Sequence, residues 1–145
     1  MKIRELIRNL GLRLGIADLE LSEDGSCSVT FGPDEVIFEQ EGEMLFIIAE
    51  IGSAEGNEKV FRAMLDANHC GHGSGFGSIG WDCERNSFTL SRVIEGDFNN
   101  ELFEKQLKLF VSTLRFWKLY LIHNNDKDAT AFDAAYSLQA MTFLA

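Results

Sequence analysis

The residues most able to do chemistry lie between Leu65 and Glu84, where two histidines and two cysteines surround a run of glycines. Imidazole and thiolate groups bind zinc, and a thiolate beside an imidazole can act as a nucleophile. The glycine run also satisfies G-x-G-x-x-G over residues 75–80, a spacing found in phosphate-binding loops. The stretch could therefore be a metal site, a thiol centre, a phosphate-binding loop or only a turn.

The spacing of these residues argues against each chemical use. A phosphate-binding loop needs a strand before it and a helix after it, whereas here a helix precedes and a strand follows. A structural zinc site needs four protein ligands in closed tetrahedral coordination, and the paired C-x-x-C spacing typical of such sites is absent. No third group is placed to orient a thiol–imidazole pair, so no catalytic residue, metal ligand or cofactor is assigned. The set that stays open as an alternative metal or thiol centre is His69, Cys70, His72 and Cys83.

The elements around this stretch follow from hydrophobic periodicity. Apolar residues three and four apart predict a first helix that ends at Gly15 and a long last helix over 99–125. The last helix is expected to bury one apolar stripe and a second line beside it. The stripe is Phe103, Leu107, Phe110, Leu114, Trp117 and Leu121, and the second line is Leu102, Leu109, Phe116 and Tyr120. Period-two alternation with tight turns predicts three strands over 26–31, 35–41 and 44–52, and a hairpin turning at Arg85-Asn86. A middle helix over 57–70 has Asn57 as its N-cap. The order α-β-β-β-α-β-β-α predicts an α+β fold, a single domain over 1–125 with an antiparallel sheet. Residues 126–145 form an apolar tail, interpreted as a short docking helix.

The third predicted strand is apolar on both faces. Met44, Phe46 and Ile48 point one way, and Leu45 and Ile47 point the other. Antiparallel strands usually alternate because one of their faces meets water. This strand therefore needs two covers, one from the chain's own helices and one from a partner or a second chain.

Charge and composition exclude several classes of partner. The formal net charge is −10 over 145 residues, a field that repels nucleic acid and anionic membranes. No apolar run is long enough to span a bilayer, and "MKIRELIRNLG" lacks the pattern of a secretory signal. Three cysteines without an export signal are expected to be reduced thiols. A cytoplasmic protein is expected.

Several local phrases, in their order, resemble the class I type III secretion chaperones of the Tir-chaperone family. The phrases are "LIRNLGLRLGI" (Leu6–Ile16), "FRAMLDAN" (Phe61–Asn68), "IGWDCERNSFTLSRVI" (Ile79–Ile94) and "WKLYLIHNN" (Trp117–Asn125). The size, the acidity and the predicted order of elements are also similar. The resemblance covers about residues 2–125.

The resemblance implies a bacterial cytoplasmic homodimer without enzymatic activity. Such a chaperone holds the N-terminal segment of a secreted effector in an extended, secretion-competent form, and a secretion-apparatus ATPase is a further expected partner. Effectors press apolar side chains into surface grooves and can add a strand to a sheet edge. The residues expected in the effector groove, or in the core beneath it, are Leu6, Leu10, Phe31, Phe38 and Phe46. Those expected at the dimer interface are Met64, Leu65, Ile79 and Trp81.

Two other functions remain open at this stage. One is the small metal or thiol protein built on His69, Cys70, His72 and Cys83. The other keeps the fold and the dimer but gives them another task, that of an adaptor or immunity protein which binds a folded partner.

Overall fold

The structure, a computed structural model, describes residues 2–124. Three helices, α1 (Ile3–Leu14), α2 (Phe61–Asn68) and α3 (Asn100–Asn124), accompany five strands. The strands are β1 (Ser26–Phe31), β2 (Asp34–Glu41), β3 (Met44–Ser53), β4 (Ser78–Asp82) and β5 (Ser87–Ile94). They form one antiparallel sheet in the order β1-β2-β3-β5-β4, so that β1 and β4 are its edge strands. The predicted α+β fold and its order of elements are confirmed, whereas the tail over 126–145 lies outside the described residues.

The described residues divide into two compact units. The first contains residues 2–49 and 92–108, and the second contains residues 50–91 and 109–124. Three elements, β3, β5 and α3, contribute residues to both.

In the first unit, α1 is a one-faced helix whose end has a clear cause. Gly15 adopts a left-handed conformation with φ 72°, and its N–H bonds back to the last turn, so the helix stops where the sequence predicts. Gly11 is buried because the following segment packs against it, and a Cβ there would lie 2.6 Å from the Cβ of Leu19. The buried residues of α1 are Leu6, Ile7, Leu10 and Gly11.

Two tight hairpins join the first three strands. Phe31 lies opposite Asp34, and Glu41 lies opposite Met44, so each loop has two residues. Each loop opens with a glycine at positive φ, Gly32 at 63° and Gly42 at 61°, as two-residue hairpins require. The strand bounds match the predicted ones to within one residue.

The double-faced character of β3 is visible in its burial. Leu45, Ile47, Ala49 and Ile51 are buried, whereas Met44, Phe46 and Ile48 on the other face are only half-buried. The chain therefore covers one face of this strand and leaves the other partly open. This agrees with the expectation that a second cover is needed.

The middle helix, in the second unit, is shorter than predicted. The helix predicted over 57–70 is divided into a 3-10 turn (Glu58–Val60), α2 and a second 3-10 turn (His69–Gly71). Asn57 occupies the predicted N-cap position, now of the first 3-10 turn, but its side chain makes no capping hydrogen bond. Its Nδ2 donates to the carbonyl of Ser53 at 3.1 Å, and its buried Oδ1, the atom that would cap, accepts no hydrogen bond from residues 2–124.

In α3 one predicted apolar line is buried along its whole length, and the second is buried only in part. All six residues of the predicted stripe are buried: Phe103, Leu107, Phe110, Leu114, Trp117 and Leu121. Of the adjacent line, Tyr120 is buried and Leu109 and Phe116 are half-buried, but Leu102 is exposed. The buried stripe is narrower than predicted at the N-terminal end of the helix.

Candidate functional site

The free side of β1 is an open backbone edge, and the ladder shows which residues face outward. Gly25 lies opposite Gln40 in this register, and the Gln40 N–H donates to the Gly25 carbonyl at 2.8 Å. Bonded pairs recur at every second residue of an antiparallel ladder. Cys27, Val29 and Phe31 therefore bond to β2, while Ser26, Ser28 and Thr30 direct their N–H and C=O groups away from it.

One of these three outward positions is already occupied. The carbonyl of Ser26 accepts from the Ser22 N–H at 2.9 Å, and the Ser26 N–H donates to Asp24 Oδ1 at 3.0 Å. Ser28 and Thr30 are both exposed. The edge thus offers backbone hydrogen bonds at two alternate residues, as strand addition requires.

The sheet face beside this edge is partly apolar. Ile37 of β2 lies opposite Ile48 of β3, and Phe46 lies opposite Glu39. These three apolar side chains are half-buried, so they still present carbon surface to solvent. This face, the outer face of β1, β2 and β3, is a surface on which an extended segment could lie.

A second apolar surface of the first unit lies on α1 and the segment after it. Leu12 is 75% exposed, and Ile16, which follows the Gly15 cap of the helix, is 37% exposed. Both line a cleft whose other residues are Arg8, Asp18, Leu19 and Glu20. The cleft therefore combines apolar and charged side chains, and its exposed apolar residues make it a candidate contact surface.

The residues predicted in the effector groove occupy two different environments. Leu6, Leu10 and Phe38 are buried, and Phe38 packs edge-on against Phe103 with 6.2 Å between ring centroids. They are core residues, and the position of this core beneath an effector groove stays a prediction. Phe31 and Phe46 are half-buried. Their role in binding remains a prediction.

Leu12 and Ile16 were missed as candidate contacts. Both lie in the "LIRNLGLRLGI" phrase, and periodicity already places Leu12 off the buried stripe of α1. An apolar residue on the polar side of an amphipathic helix is the signal that could have identified it.

In the second unit, α2 and β4 form an apolar groove of about 190 Å³. Leu65 is 72% exposed and Trp81 is 55% exposed, which are large values for side chains of this size. The groove is lined by Phe61, Met64, Leu65, Asn68, Ile79, Gly80, Trp81 and Phe88. All four residues predicted at the dimer interface therefore lie around one surface groove.

Polar contacts fix the walls of this groove. The side chain of Asn68 donates to the Ile79 carbonyl and accepts from the Ile79 N–H, both at 2.8 Å, which ties the end of α2 to β4. The Trp81 indole donates to Asn86 Oδ1 at 3.0 Å, and its ring centroid lies 5.9 Å from that of Phe61. These contacts join the end of α2 to β4 and fix the position of the Trp81 indole beside the groove.

The glycine-rich stretch is a tightly packed loop between α2 and β4. The indole of Trp117 donates to the Gly73 carbonyl at 2.7 Å in a buried position. A Cβ on Gly75 would lie 2.5 Å from Thr113 Oγ1, and one on Gly77 would lie 2.3 Å from the Ser91 carbonyl oxygen. These glycines are therefore required by close packing, which supports the interpretation of the stretch as a turn.

The alternative metal or thiol centre finds no support in this geometry. The rings of His69 and His72 lie 6.4 Å apart, and both Cys70 and Cys83 are exposed free thiols. Over residues 2–124, no group of three His, Cys, Asp or Glu side chains is placed to hold a metal ion. In the same residues, no helix is long and apolar enough to cross a bilayer.

Similar folds occur in solved chaperone complexes. A chain of the ExsC–ExsE complex aligns with a TM-score of 0.70 at 23% identity, covering 81% of this chain and 95% of that one. A chain of the HopA1–SchA chaperone–effector complex aligns with a TM-score of 0.67 at 13% identity, with coverages of 79% and 91%. A chain of the Yersinia pestis type III secretion chaperone SycH, in complex with a fragment of YscM2, gives 0.63 at 18% identity, with coverages of 77% and 95%. At these identities the likeness concerns the fold.

Comparison at the level of sequence identifies the family. A search of curated proteins found no match. The model of the Tir chaperone protein (CesT) family matches residues 5–118, which are 114 of the 145 residues and include every helix and strand apart from the two ends. The chain belongs to the Tir chaperone protein (CesT) family.

Proposed function

We propose that this protein is a type III secretion chaperone which binds the N-terminal segment of a secreted effector in extended form and keeps it stable for secretion. The observation that carries the proposal is the open edge of β1 beside a half-buried apolar sheet face. Backbone hydrogen bonds hold an extended chain with little regard to its sequence, while side-chain pockets select it. Family membership and the chaperone–effector complexes among the similar structures support the same function.

The α1 cleft gives the effector a second place to bind. Leu12 and Ile16 present apolar surface there, on the same unit as the β1 edge. An extended segment can use several such contacts because each one requires only a few residues. A chaperone of this kind needs no catalytic group, and we propose that the protein has no enzymatic activity.

We further propose that the protein is a homodimer and that the α2–β4 groove is its interface. The groove exposes Leu65 and Trp81, and a second copy of the same surface would bury both. Aromatic and large aliphatic side chains dominate the centres of stable interfaces. The proposed location is the bacterial cytoplasm, and the family resemblance extends the proposal to a secretion-apparatus ATPase as a further partner.

The test is co-expression with the product of the neighbouring gene, followed by light scattering of the purified complex. We expect two copies of this protein with one copy of the partner, bound through a protease-sensitive N-terminal segment of that partner. Leu12→Asp should weaken capture without unfolding the chain, because Leu12 is exposed. A monomer that captures nothing would contradict the proposal.

A thiol footprint tests whether the partner binds beside β1. Cys27 is half-buried on this edge strand, and burial raises the pKa of its thiol. A strand added beside it should slow its alkylation further, while Cys70 and Cys83, which lie in the other unit, serve as internal references. Unchanged alkylation of Cys27 in the complex would place the partner elsewhere.

A further inference from the structure

The outer face beside the β1 edge has a regular arrangement of side chains across the strands. Directly opposed residues of an antiparallel ladder project from the same face. Each row therefore begins with a small hydroxyl residue at the edge and continues with an acidic or an apolar residue on β2. The rows are Ser26–Glu39–Phe46, Ser28–Ile37–Ile48 and Thr30–Glu35.

The charges of this region are of one sign. Between Arg13 and Lys59 the sequence has twelve acidic residues and no lysine, arginine or histidine. Glu35 and Glu39 are exposed, and no salt bridge joins either of them to a cation within residues 2–124. The face therefore lacks its own counter-charge.

We propose that the segment which adds to the β1 edge carries the pattern basic–x–aliphatic–x–basic on its outward side. The aliphatic residue lies opposite Ser28, in the row of Ile37, and one basic residue lies opposite Thr30, in the row of Glu35. The other basic residue follows the paired residues at the Ser26 end, towards Glu39, because the turn from Ser22 already occupies the backbone groups of Ser26. This inference rests on the proposed function and names the chemistry of the peptide that the site selects. The pattern reads the same in both directions, so it holds for a parallel or an antiparallel strand.

The small side chains at the edge make this contact possible. Neighbouring strands lie about 4.8 Å apart, so an added strand is about two such spacings from β2. Ser28 and Thr30 leave the space above β1 open, and a lysine or arginine can lay its aliphatic stem across it with the charge at the far end. The carboxylate of Asp24, hydrogen-bonded to the Ser26 hydroxyl at 2.7 Å, adds a second negative group at the Ser26 end.

The first measurement compares two synthetic peptides with the full chain by fluorescence anisotropy. One has the core KVLVK and the other has EVLVE, so that they differ only in the charge of two outward residues. Opposite-charge pairs across strands are favourable and like-charge pairs are unfavourable. We expect the basic peptide to bind at least about tenfold more tightly at low ionic strength, equivalent to about 1.4 kcal/mol, with a smaller difference in high salt.

A charge-reversed variant and a matched control locate the effect. In Glu35→Lys/Glu39→Lys the preference should reverse towards the acidic peptide, and capture of the co-expressed natural partner should fall. Glu55→Lys/Glu58→Lys changes the net charge equally at two exposed residues of the other unit and should leave both results unchanged. A reversal in both variants would show that net charge alone decides and would overturn the inference.

The remaining outcomes separate this inference from the proposed function. Equal binding of both peptides, or binding of the natural partner segment but of neither peptide, would overturn the charge pattern and leave the chaperone function standing. Failure to bind the natural partner as well would overturn the function itself.

Discussion

The glycines of the loop between α2 and β4 show how packing, rather than chemistry, selects residue types. Gly75 combines a positive φ of 60° with a neighbour, Thr113, that leaves no room for a side chain. Histidine and cysteine nearby gave the stretch the appearance of a reactive site, yet the backbone is held by Trp117. Glycine is required here because distant parts of the chain pack closely against the loop, and residue spacing along the chain does not reveal such contacts.

Gly75→Ala should lower the free energy of unfolding by about 2–4 kcal/mol, because it adds a steric clash to the strain of a left-handed residue. Gly42→Ala is the matched control: its φ is 61° and a Cβ there meets nothing within 4 Å. We expect about 1–2 kcal/mol for the control, from strain alone. Urea denaturation measures both, and equal losses would show that the clash with Thr113 is relieved by movement.

Asp24 gives a pH-dependent signal at the start of β1. Hydrogen bonds from the Ser22 hydroxyl first, then from the hydroxyl and the N–H of Ser26, lower the pKa of its carboxyl below the ordinary value of 3.8. The contribution of these bonds is therefore present above the unfolded-state pKa and is lost as the pH falls through the lowered one. NMR titration should give a midpoint below 3.8 for Asp24, with the Ser26 amide following it, and Asp24→Asn should abolish that step. A midpoint at or above 3.8 would contradict the hydrogen-bonded turn.

At the scale of elements, β1 is the strand on which the proposed function depends. It is short, it pairs on one side only, and its outward backbone groups lie at alternate residues. Alternate residues of β1 direct their backbone N–H groups either to β2 or to the open edge. A proline removes one N–H, so substitutions at neighbouring positions test the two sides of the strand separately.

Ser28→Pro should prevent strand addition and leave the fold intact, because the N–H that it removes points away from β2 and proline is tolerated on edge strands. We expect partner affinity to fall by at least about tenfold, which is the loss of one or two hydrogen bonds. Isothermal titration calorimetry and circular dichroism provide the two measurements. Val29→Pro is the opposite control, since it removes a bond of the β1–β2 ladder at a buried residue and should destabilise the protein. Full partner binding by Ser28→Pro would exclude addition at this edge.

The elements themselves were largely predictable from local pattern. Alternation and glycine turns located the first three strands to within a residue, and the stripe of α3 emerged from its spacing alone. The errors concern what surrounds a side chain, which local pattern does not contain. Asn57 lies at an N-cap position, yet its side chain bonds to Ser53 and does not cap, and Leu102 continues an apolar line that its surroundings do not cover.

At the scale of the whole molecule, the question is which surface binds the effector segment and which binds the second copy. Periodicity alone indicated that β3 needs a second cover. The family resemblance predicted that Met64, Leu65, Ile79 and Trp81 share one surface, and the structure places them around one groove. Burial could not be predicted for Leu10 and Phe38, because a residue in a groove and one beneath it have the same alternation. Exposed residues such as Leu12 are therefore the better positions for substitution.

Leu65→Asp should convert the proposed dimer into a folded monomer, because a carboxylate buried in an apolar interface without a partner is strongly unfavourable. The residue is 72% exposed in the single chain, so its replacement should leave the fold unchanged. Light scattering at micromolar protein measures the mass. The control Leu119→Asp, at a residue of α3 that is 53% exposed, should remain dimeric. A dimer that survives Leu65→Asp would place the interface elsewhere.

The turn that occupies the outward groups of Ser26 also limits how firmly a cargo can be held. In β1, only Ser28 and Thr30 have outward backbone groups that can bond to an added strand, so the paired segment is a few residues long. Such a segment can dissociate from one end, with one pair of hydrogen bonds broken at a time. A pulling force applied to the cargo then meets a series of small barriers instead of one large one. For the proposed chaperone, the extended segment would therefore leave the β1 edge in several small steps and would not need to break all its backbone contacts at once.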